Sequence, residues 1–192
     1  MEDNKIIGVL SFQGSVEEHL AALEELPGVT GVPVKTREVL KQVDGLILPG
    51  GESTTIGKLL GIFGLLEPLR QRILQGMPVW GTCAGMILLA KDVVGEAPHL
   101  GVMDISVRRN AYGTQLDSFQ ATAPVSEISD APIPLVFIRA PWVERAWGSA
   151  KPLLTLDGHI VAVRQDNMLA TSFHPELTGD RSVYRYFRNM IG

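Results

Sequence analysis

Between residues 6 and 93, short apolar runs alternate with helical patterns, and this alternation restricts the possible folds more than any single motif does. IIGVLSF (6–12) is apolar almost throughout, as a strand covered on both faces requires. SVEEHLAALEEL (15–26) follows. Ser15 and Glu18 are spaced as a capping box, and Val16, Leu20, Leu23 and Leu26 mark one helical face. Pro27-Gly28 stops that helix. VPVKTR (32–37) and DGLILP (44–49) read as the second and third strands. GKLLGIFGLLEPLRQRIL (57–74) is helical with a break around Gly61–Gly64. PVWGT (78–82) is a fourth strand and AGMILLAKDV (84–93) the helix behind it. Such alternation implies a parallel sheet with right-handed crossovers.

Beyond residue 100 the character changes. GVMDISVRR, LVFI, LLTL, HIVAVR and MLATSFH read as strands with few helical patterns between them. Asp157-Gly158 and Asp166-Asn167 are expected hairpin turns, and DRSVYRYFRNM (180–190) closes the chain as a helix. There is no internal repeat and no low-complexity linker. The expectation is an α/β fold: one domain over residues 1–192, a three-layer sandwich whose mostly parallel central sheet carries antiparallel extensions.

Composition narrows the function. With 45% hydrophobic and 20% charged residues the chain reads as soluble and globular. A net charge of -4 argues against nucleic acid as a partner. A single cysteine allows neither an internal disulfide nor a Cys-rich zinc site, so a reducing, cytoplasmic location is expected. The N-terminus lacks the pattern of a signal peptide, and no stretch approaches the ~18 apolar residues of a membrane span.

That cysteine lies in GTCAG (81–85), a G-x-C-x-G segment between a strand and a helix. The pattern is the cysteine form of a nucleophile elbow, in which flanking glycines permit a sharp strand-to-helix turn. The turn holds Cys83 at the C-terminal end of a parallel strand, facing a helix N-terminus that favours the thiolate. The Ala84 amide is placed to donate to an oxyanion. A lone cysteine is more often a buried core residue, so the reading requires a base. His19 lies within the first amphipathic helix, where a surface or packing role is expected, and His99 and His159 read as exposed loop-edge residues. His174 ends a strand and is followed by Pro175 and Glu176; in an extended segment His174 and Glu176 share a side, so the carboxylate can orient the imidazole. Cys83, His174 and Glu176 then form a triad.

LILPGGESTTIGKLL (46–60) ends a strand in two glycines. It is not a P-loop: five residues separate Gly51 from Gly57, and Leu59 stands where a hydroxyl is needed. Its amides, Gly51 above all, are candidates to complete an oxyanion hole, with Glu52 or Ser53 against a polar substrate. No metal or other cofactor is called for.

LPGGEST, GTCAG and SFHPE, in that order, resemble the class I glutamine amidotransferases, over nearly the whole chain. GVLSFQG (8–14), PGGESTT, GTCAGMILLAK, PHLG (98–101), RRNAYG (108–113), DSF (117–119), FIRAP (137–141) and SFHPELT resemble more closely the glutaminase subunits of pyridoxal 5'-phosphate synthase. The resemblance implies hydrolysis of L-glutamine and delivery of ammonia to a synthase core subunit in a large hetero-oligomer. It implies Cys83 as nucleophile with His174 and Glu176, and glutamine-binding positions at Gly51, Glu52, Ser53, Arg109, Ile138 and Arg139. Gln13 falls where such subunits sense the docked partner. The implied chemistry is attack by the Cys83 thiolate, a γ-glutamyl thioester, and water activated by His174. Three positions depart from the family's usual residues: Phe12 for an aliphatic residue, and Thr114 and Gln120 for Arg and Glu. Three alternatives remain open: a glutaminase serving histidine or purine synthesis, a cysteine-elbow hydrolase or stress protein on a related fold, and a catalytically silent regulatory subunit.

Overall fold

A computed structural model describes residues 3–113 and 118–192. Thr114, and Asp117 of the DSF stretch, lie outside the described residues. The first half runs β1 (Lys5–Leu10), α1 (Val16–Glu24), β2 (Val29–Val34), α2 (Arg37–Gln42), β3 (Gly45–Leu48), α3 (Ser53–Ile62), α4 (Leu66–Leu74), β4 (Val79–Thr82) and α5 (Ala84–Leu89). The second half is strand-rich: β5 (Ala90–Val93), β6 (Met103–Arg108), β7 (Ser118–Ala123), β8 (Ile133–Ile138), β9 (Trp142–Ala146), β10 (Lys151–Leu156), β11 (His159–Gln165) and β12 (Met168–Thr171). A one-turn 3-10 segment, Pro175–Leu177, precedes α6 (Ser182–Met190).

The main sheet has the order β2-β1-β3-β4-β12-β11-β9-β6-β5, with β10 paired to β11. Its β2-β1-β3-β4-β12 half is parallel throughout, and β11 turns the sheet antiparallel. Strand alternation sorts the central residues into two cores. Leu10, Leu46 and Leu48 face a layer that includes Ile56, Leu60 and Leu69 of α3 and α4. Ile7, Val9, Ile47 and Leu169 face the opposite layer, with Leu23 of α1, Phe187 of α6, and Leu135 and Phe137 of the β7–β8 hairpin. Helices on both faces of a mostly parallel sheet are the expected α/β sandwich. The Asp157-Gly158 and Asp166-Asn167 turns also form as expected, with φ of 49° at Asp157, 83° at Gly158 and 51° at Asp166.

Several local readings change. The helix expected over 84–93 ends at Leu89; Ala90 is extended, and the chain continues as β5 to pair with β6. The strand expected to reach His174 stops at Thr171: Ser172 N still donates to Val161 O of β11, but His174 N turns to Val136 O of β8, both at 2.8 Å. Ser15 is the N-cap of α1, but its hydroxyl caps nothing and instead donates to Glu176 Oε1 at 2.9 Å. The Phe12 ring stacks on Phe63 with centroids 5.1 Å apart.

The two elbow glycines are explained by close packing. A Cβ on Gly81 would lie 2.4 Å from the backbone carbonyl of Gly85, and one on Gly85 would lie 2.2 Å from Leu48 O. By contrast, a Cβ on Gly61, in α3, meets nothing within 4 Å. Gly85→Ala is therefore expected to destabilise the fold by about 3 kcal/mol or more. Gly61→Ala is expected to stabilise it by ~0.5–1 kcal/mol. Urea unfolding midpoints of the two variants measure the contrast.

Candidate active site

Four parallel strands, β1, β3, β4 and β12, bring their C-terminal ends together, and the segments that leave those ends carry Gln13, Gly51, Cys83 and His174. Register explains the closeness: Leu48 pairs with Gly81, and Thr171 with Thr82. Cys83 sits at the turn itself, with φ 51° and ψ -103°, a conformation that side-chain-bearing residues rarely adopt. It is held there by Cys83 N donating to Thr171 O at 2.8 Å and by Met86 N donating back to Cys83 O at 3.0 Å. Ala84 opens α5, so its amide has no intrahelical partner. The thiol is nearly buried, and its sulfur lies 3.9 Å from Ile138 O.

The His174 ring packs over Gly50, where an added Cβ would meet its Cε1 at 2.6 Å and the Cys83 Cβ at 3.6 Å. No side chain other than hydrogen fits there. His174 Nδ1 donates to Glu176 Oε1 at 2.6 Å, which leaves Nε2 for the thiol side. This pairing comes from the one-turn 3-10 segment that carries Glu176, and not from the alternation of an extended strand. Burial opposes a charge on His174, yet the contacts with Cys83 and Glu176 outweigh it and push the ring up to about 10. Burial likewise opposes a charge on Glu176, but the hydrogen bond with His174 holds its carboxyl below the usual range.

A cavity of about 250 Å³ opens beside the thiol, lined by Gly51, Glu52, Ser53, Cys83, Arg109 and Arg139 among others. Ile138 reaches the site through its carbonyl, while its side chain is exposed. Arg139 and Asn110, both on the rim, have φ of 45° and 44°. A larger cavity of about 400 Å³ lies between the β7–β8 hairpin and Leu177–Gly179; it contains Gln120 and no titratable side chain.

The Glu52 carboxylate is committed inside the protein. It caps α3 through Thr54 N at 3.2 Å and Thr55 N at 2.8 Å, and pairs with Arg109 Nη2 at 2.8 Å. Partial burial works against its charge, but the Thr55 hydroxyl, which donates at 2.8 Å, together with these amides and Arg109 brings the carboxyl down to about 2. Arg109 is shared with Glu96 at 2.8 Å. Glu52 N donates to Gln13 Oε1 at 2.8 Å, and a Cβ on Gly51 would lie 2.5 Å from that same oxygen. The Gln13 side chain therefore lies directly on the Gly51–Glu52 peptide. The Ser53 hydroxyl is buried with no hydrogen-bond partner among the described residues.

Two residues here escaped the sequence reading. The spacing suggests Ser15 as a cap, whereas its actual use as a donor to Glu176 depends on residues 161 positions apart meeting. Of the packing and surface roles expected for His19, the structure rules out the surface one: it is fully buried, and it lies 3.7 Å from Glu176 Oε2, a placement the sequence reading does not contain. The signal was available: Val16, His19, Leu23 and Leu26 recur at helical spacing, so His19 lies on the inward stripe.

Comparison with known proteins gives the family. Residues 9–192 match the SNO glutamine amidotransferase family. A protein of Ruminiclostridium cellulolyticum named pyridoxal 5'-phosphate synthase subunit PdxT is 55% identical over 188 residues, 97% of this chain and 100% of that one. The protein of that name from Streptomyces coelicolor is 54% identical, covering 100% of this chain and 96% of that one. A crystal structure described as a glutamine amidotransferase superposes with a TM-score of 0.91 at 44% identity, over 97% of this chain and 98% of that one. The chain belongs to the SNO glutamine amidotransferase family.

Proposed function

We propose that this chain is the glutaminase subunit of a pyridoxal 5'-phosphate synthase, acting in the cytoplasm as one glutamine amidotransferase domain. Its task is to hydrolyse L-glutamine to L-glutamate and ammonia, and to pass the ammonia to a synthase core subunit within a large hetero-oligomer. The observation that carries this reading is the strained Cys83 turn beside a hydrogen-bonded His174–Glu176 pair, at a cavity of about 250 Å³. The relatives named as PdxT supply the pathway. No helix among the described residues is long and apolar enough to cross a membrane.

In the proposed mechanism the Cys83 sulfur attacks the side-chain amide carbon of glutamine. The tetrahedral oxyanion takes hydrogen bonds from the amides of Ala84 and Gly51. His174, protonated at neutral pH, gives its proton to the departing ammonia, leaving a γ-glutamyl thioester. The neutral ring then takes a proton from water, whose attack on the thioester releases glutamate and restores the Cys83 thiolate beside protonated His174. Glu176 holds the imidazole by Nδ1 and stabilises its charged form. Gly51, Ser53 and Arg139 face the substrate directly, and the Ile138 carbonyl borders the thiol. Glu52 holds Arg109 at the rim, and Gln13, on the oxyanion peptide, is the proposed sensor of the docked partner.

Glutamate release from L-glutamine, measured with and without the synthase core subunit, tests the reading. Strong stimulation by the core is expected, with Cys83→Ala abolishing release. Release indifferent to the core would assign the chain to another pathway, and release surviving in Cys83→Ala would remove the nucleophile. A second expectation follows from the raised basicity of His174. Its ring should remain protonated through neutral pH in an imidazole NMR titration. Glu176→Gln removes one of the two groups that raise the ring against burial, so the titration should move down by about one unit or more. The same variant should lose about 10²-fold or more in rate. An unmoved titration would detach Glu176 from His174.

A further inference from the structure

Glu176 presents two oxygens, and the triad uses one of them. Oε1 meets His174 Nδ1 at 2.6 Å and Ser15 Oγ at 2.9 Å. Oε2 is buried and has no hydrogen-bond partner among the described residues. An ionised oxygen left so deep needs some compensation. What faces it is His19 Nε2, 3.7 Å away, with both side chains fully withdrawn from solvent.

The surrounding hydrogen bonds decide which proton His19 carries. Tyr184 OH lies 2.7 Å from Nδ1, and Thr82 Oγ1 lies 3.3 Å from Nε2. Thr82 Oγ1 is also 3.5 Å from Leu48 O, to which it can only donate. One assignment serves every group: Tyr184 donates to Nδ1, Nε2–H points between Thr82 and Glu176, and Thr82 donates to Leu48. The opposite tautomer would turn a lone pair on Nε2 toward a carboxylate. Burial raises the Tyr184 hydroxyl well above its ordinary range, and the Glu176 charge adds to it, so Tyr184 remains a donor. Burial lowers His19 to about 4, against the pull of Glu176 and Glu18 and with help from positive His174. Trp80 closes the remaining side, edge-on with ring centroids 5.9 Å apart. His19 is therefore neutral at physiological pH.

We infer that His19 is a positioning residue of the glutaminase site: its Nε2–H, fixed by Tyr184, keeps Glu176 ionised with Oε1 directed at His174. This rests on the function proposed above. At 3.7 Å the N–H supplies a dipole and not a hydrogen bond. Neutrality matters, because a full positive charge would compete with His174 for the carboxylate, whereas a dipole stabilises the charge and leaves it available.

The test compares His19→Leu, His19→Gln and Tyr184→Phe in the full chain with its synthase core subunit, using L-glutamine as substrate. In His19→Leu, kcat is expected to fall about tenfold. KM for glutamine should stay within about twofold. Without the donor Glu176 accepts a proton more readily, so the acid limb of kcat/KM should move up by about one pH unit. His19→Gln retains an N–H and should recover most of the loss. Wild-type rate and acid limb in His19→Leu would overturn the inference. Equal losses in the Leu and Gln variants with an unmoved limb would also overturn it, leaving His19 as packing alone.

A second readout does not need activity. The ¹⁵N spectrum of His19 in the wild-type chain should show the Nε2–H tautomer, and Tyr184→Phe should mix the two tautomers. An Nδ1–H or doubly protonated ring in the wild type overturns the inference. If wild type releases no glutamate with the core present, the glutaminase reading fails by itself. The His19 tautomer, and a His174 titration that His19→Leu shifts or leaves alone, then decide the rest.

Discussion

A carboxylate whose side chain is wholly withdrawn from water has to be compensated where it stands, and Glu176 is compensated by groups from opposite ends of the chain. Ser15, before α1, donates to the same oxygen that accepts from His174, so the N-terminal helix is tied to the segment after β12. Ser15 N also donates to Gly50 O at 3.1 Å, which joins the β1 and β3 exits. A hydroxyl that could have capped α1 for ~1 kcal/mol is instead spent on a charge whose exposure to an apolar interior would cost several times more. The larger effect wins. α1 is left without a side-chain cap and is held by packing instead, through the buried Ala22 and Leu23.

The second constraint is steric and acts on Cys83, the proposed nucleophile. β4 passes directly into α5 with no linker, and the two approach so closely that Gly81 and Gly85 have no room for a Cβ. The strain of the positive φ falls on Cys83, the one residue between β4 and α5. Because β4 is flanked by β3 and β12, both parallel to it, the turn emerges between the glycine loop and the histidine segment. Gly50 completes the arrangement, since only hydrogen there lets the imidazole lie beside the thiol. Steric permission thus comes from glycines, and electrostatics from the C-terminal segment.

Much of this was legible in the sequence, for identifiable reasons. The buried parallel strands announce themselves as continuous apolar runs, and Asp157-Gly158 fixes its hairpin because both residues take positive φ. α2 was missed because six residues are too few for periodicity, although Thr36 accepts from Val39 N as a cap should. AKDV was read as helix because its apolar ends continue the spacing of AGMILLA; the pairing of β5 with β6 overrides that local pattern. β7 and β9 are not legible because they are partly exposed, without a continuous apolar run, and are defined by their partners β8 and β6. The residues of the proposed triad could be picked out from spacing and residue type, and they lie together in the structure. Their second contacts could not, because Ser15 and His19 reach Glu176, and Tyr184 reaches His19, only through tertiary packing.

The glycine loop shows how strong and weak contacts divide the work on a single residue. The Glu52 carboxylate, charged at any physiological pH, holds Arg109 and caps α3. Hydrogen bonds to charged groups contribute about 1.5–3 kcal/mol each, so this end of the residue is fixed. Its amide makes a neutral hydrogen bond to Gln13, on an exposed side chain, of the kind that contributes ~0.5–1.5 kcal/mol. That bond is the weaker restraint on the Gly51–Glu52 peptide. On the proposed reading, a docking partner that redirects Gln13 can reorient this peptide while the Glu52–Arg109 pair and the α3 cap stay in place. Glycine at position 51 suits such a hinge, because it alone leaves space for the Gln13 carbonyl, which a Cβ would approach to 2.5 Å. Partner control of an oxyanion donor then requires the breaking of one neutral hydrogen bond, and neither the buried charges of the triad nor the elbow has to move.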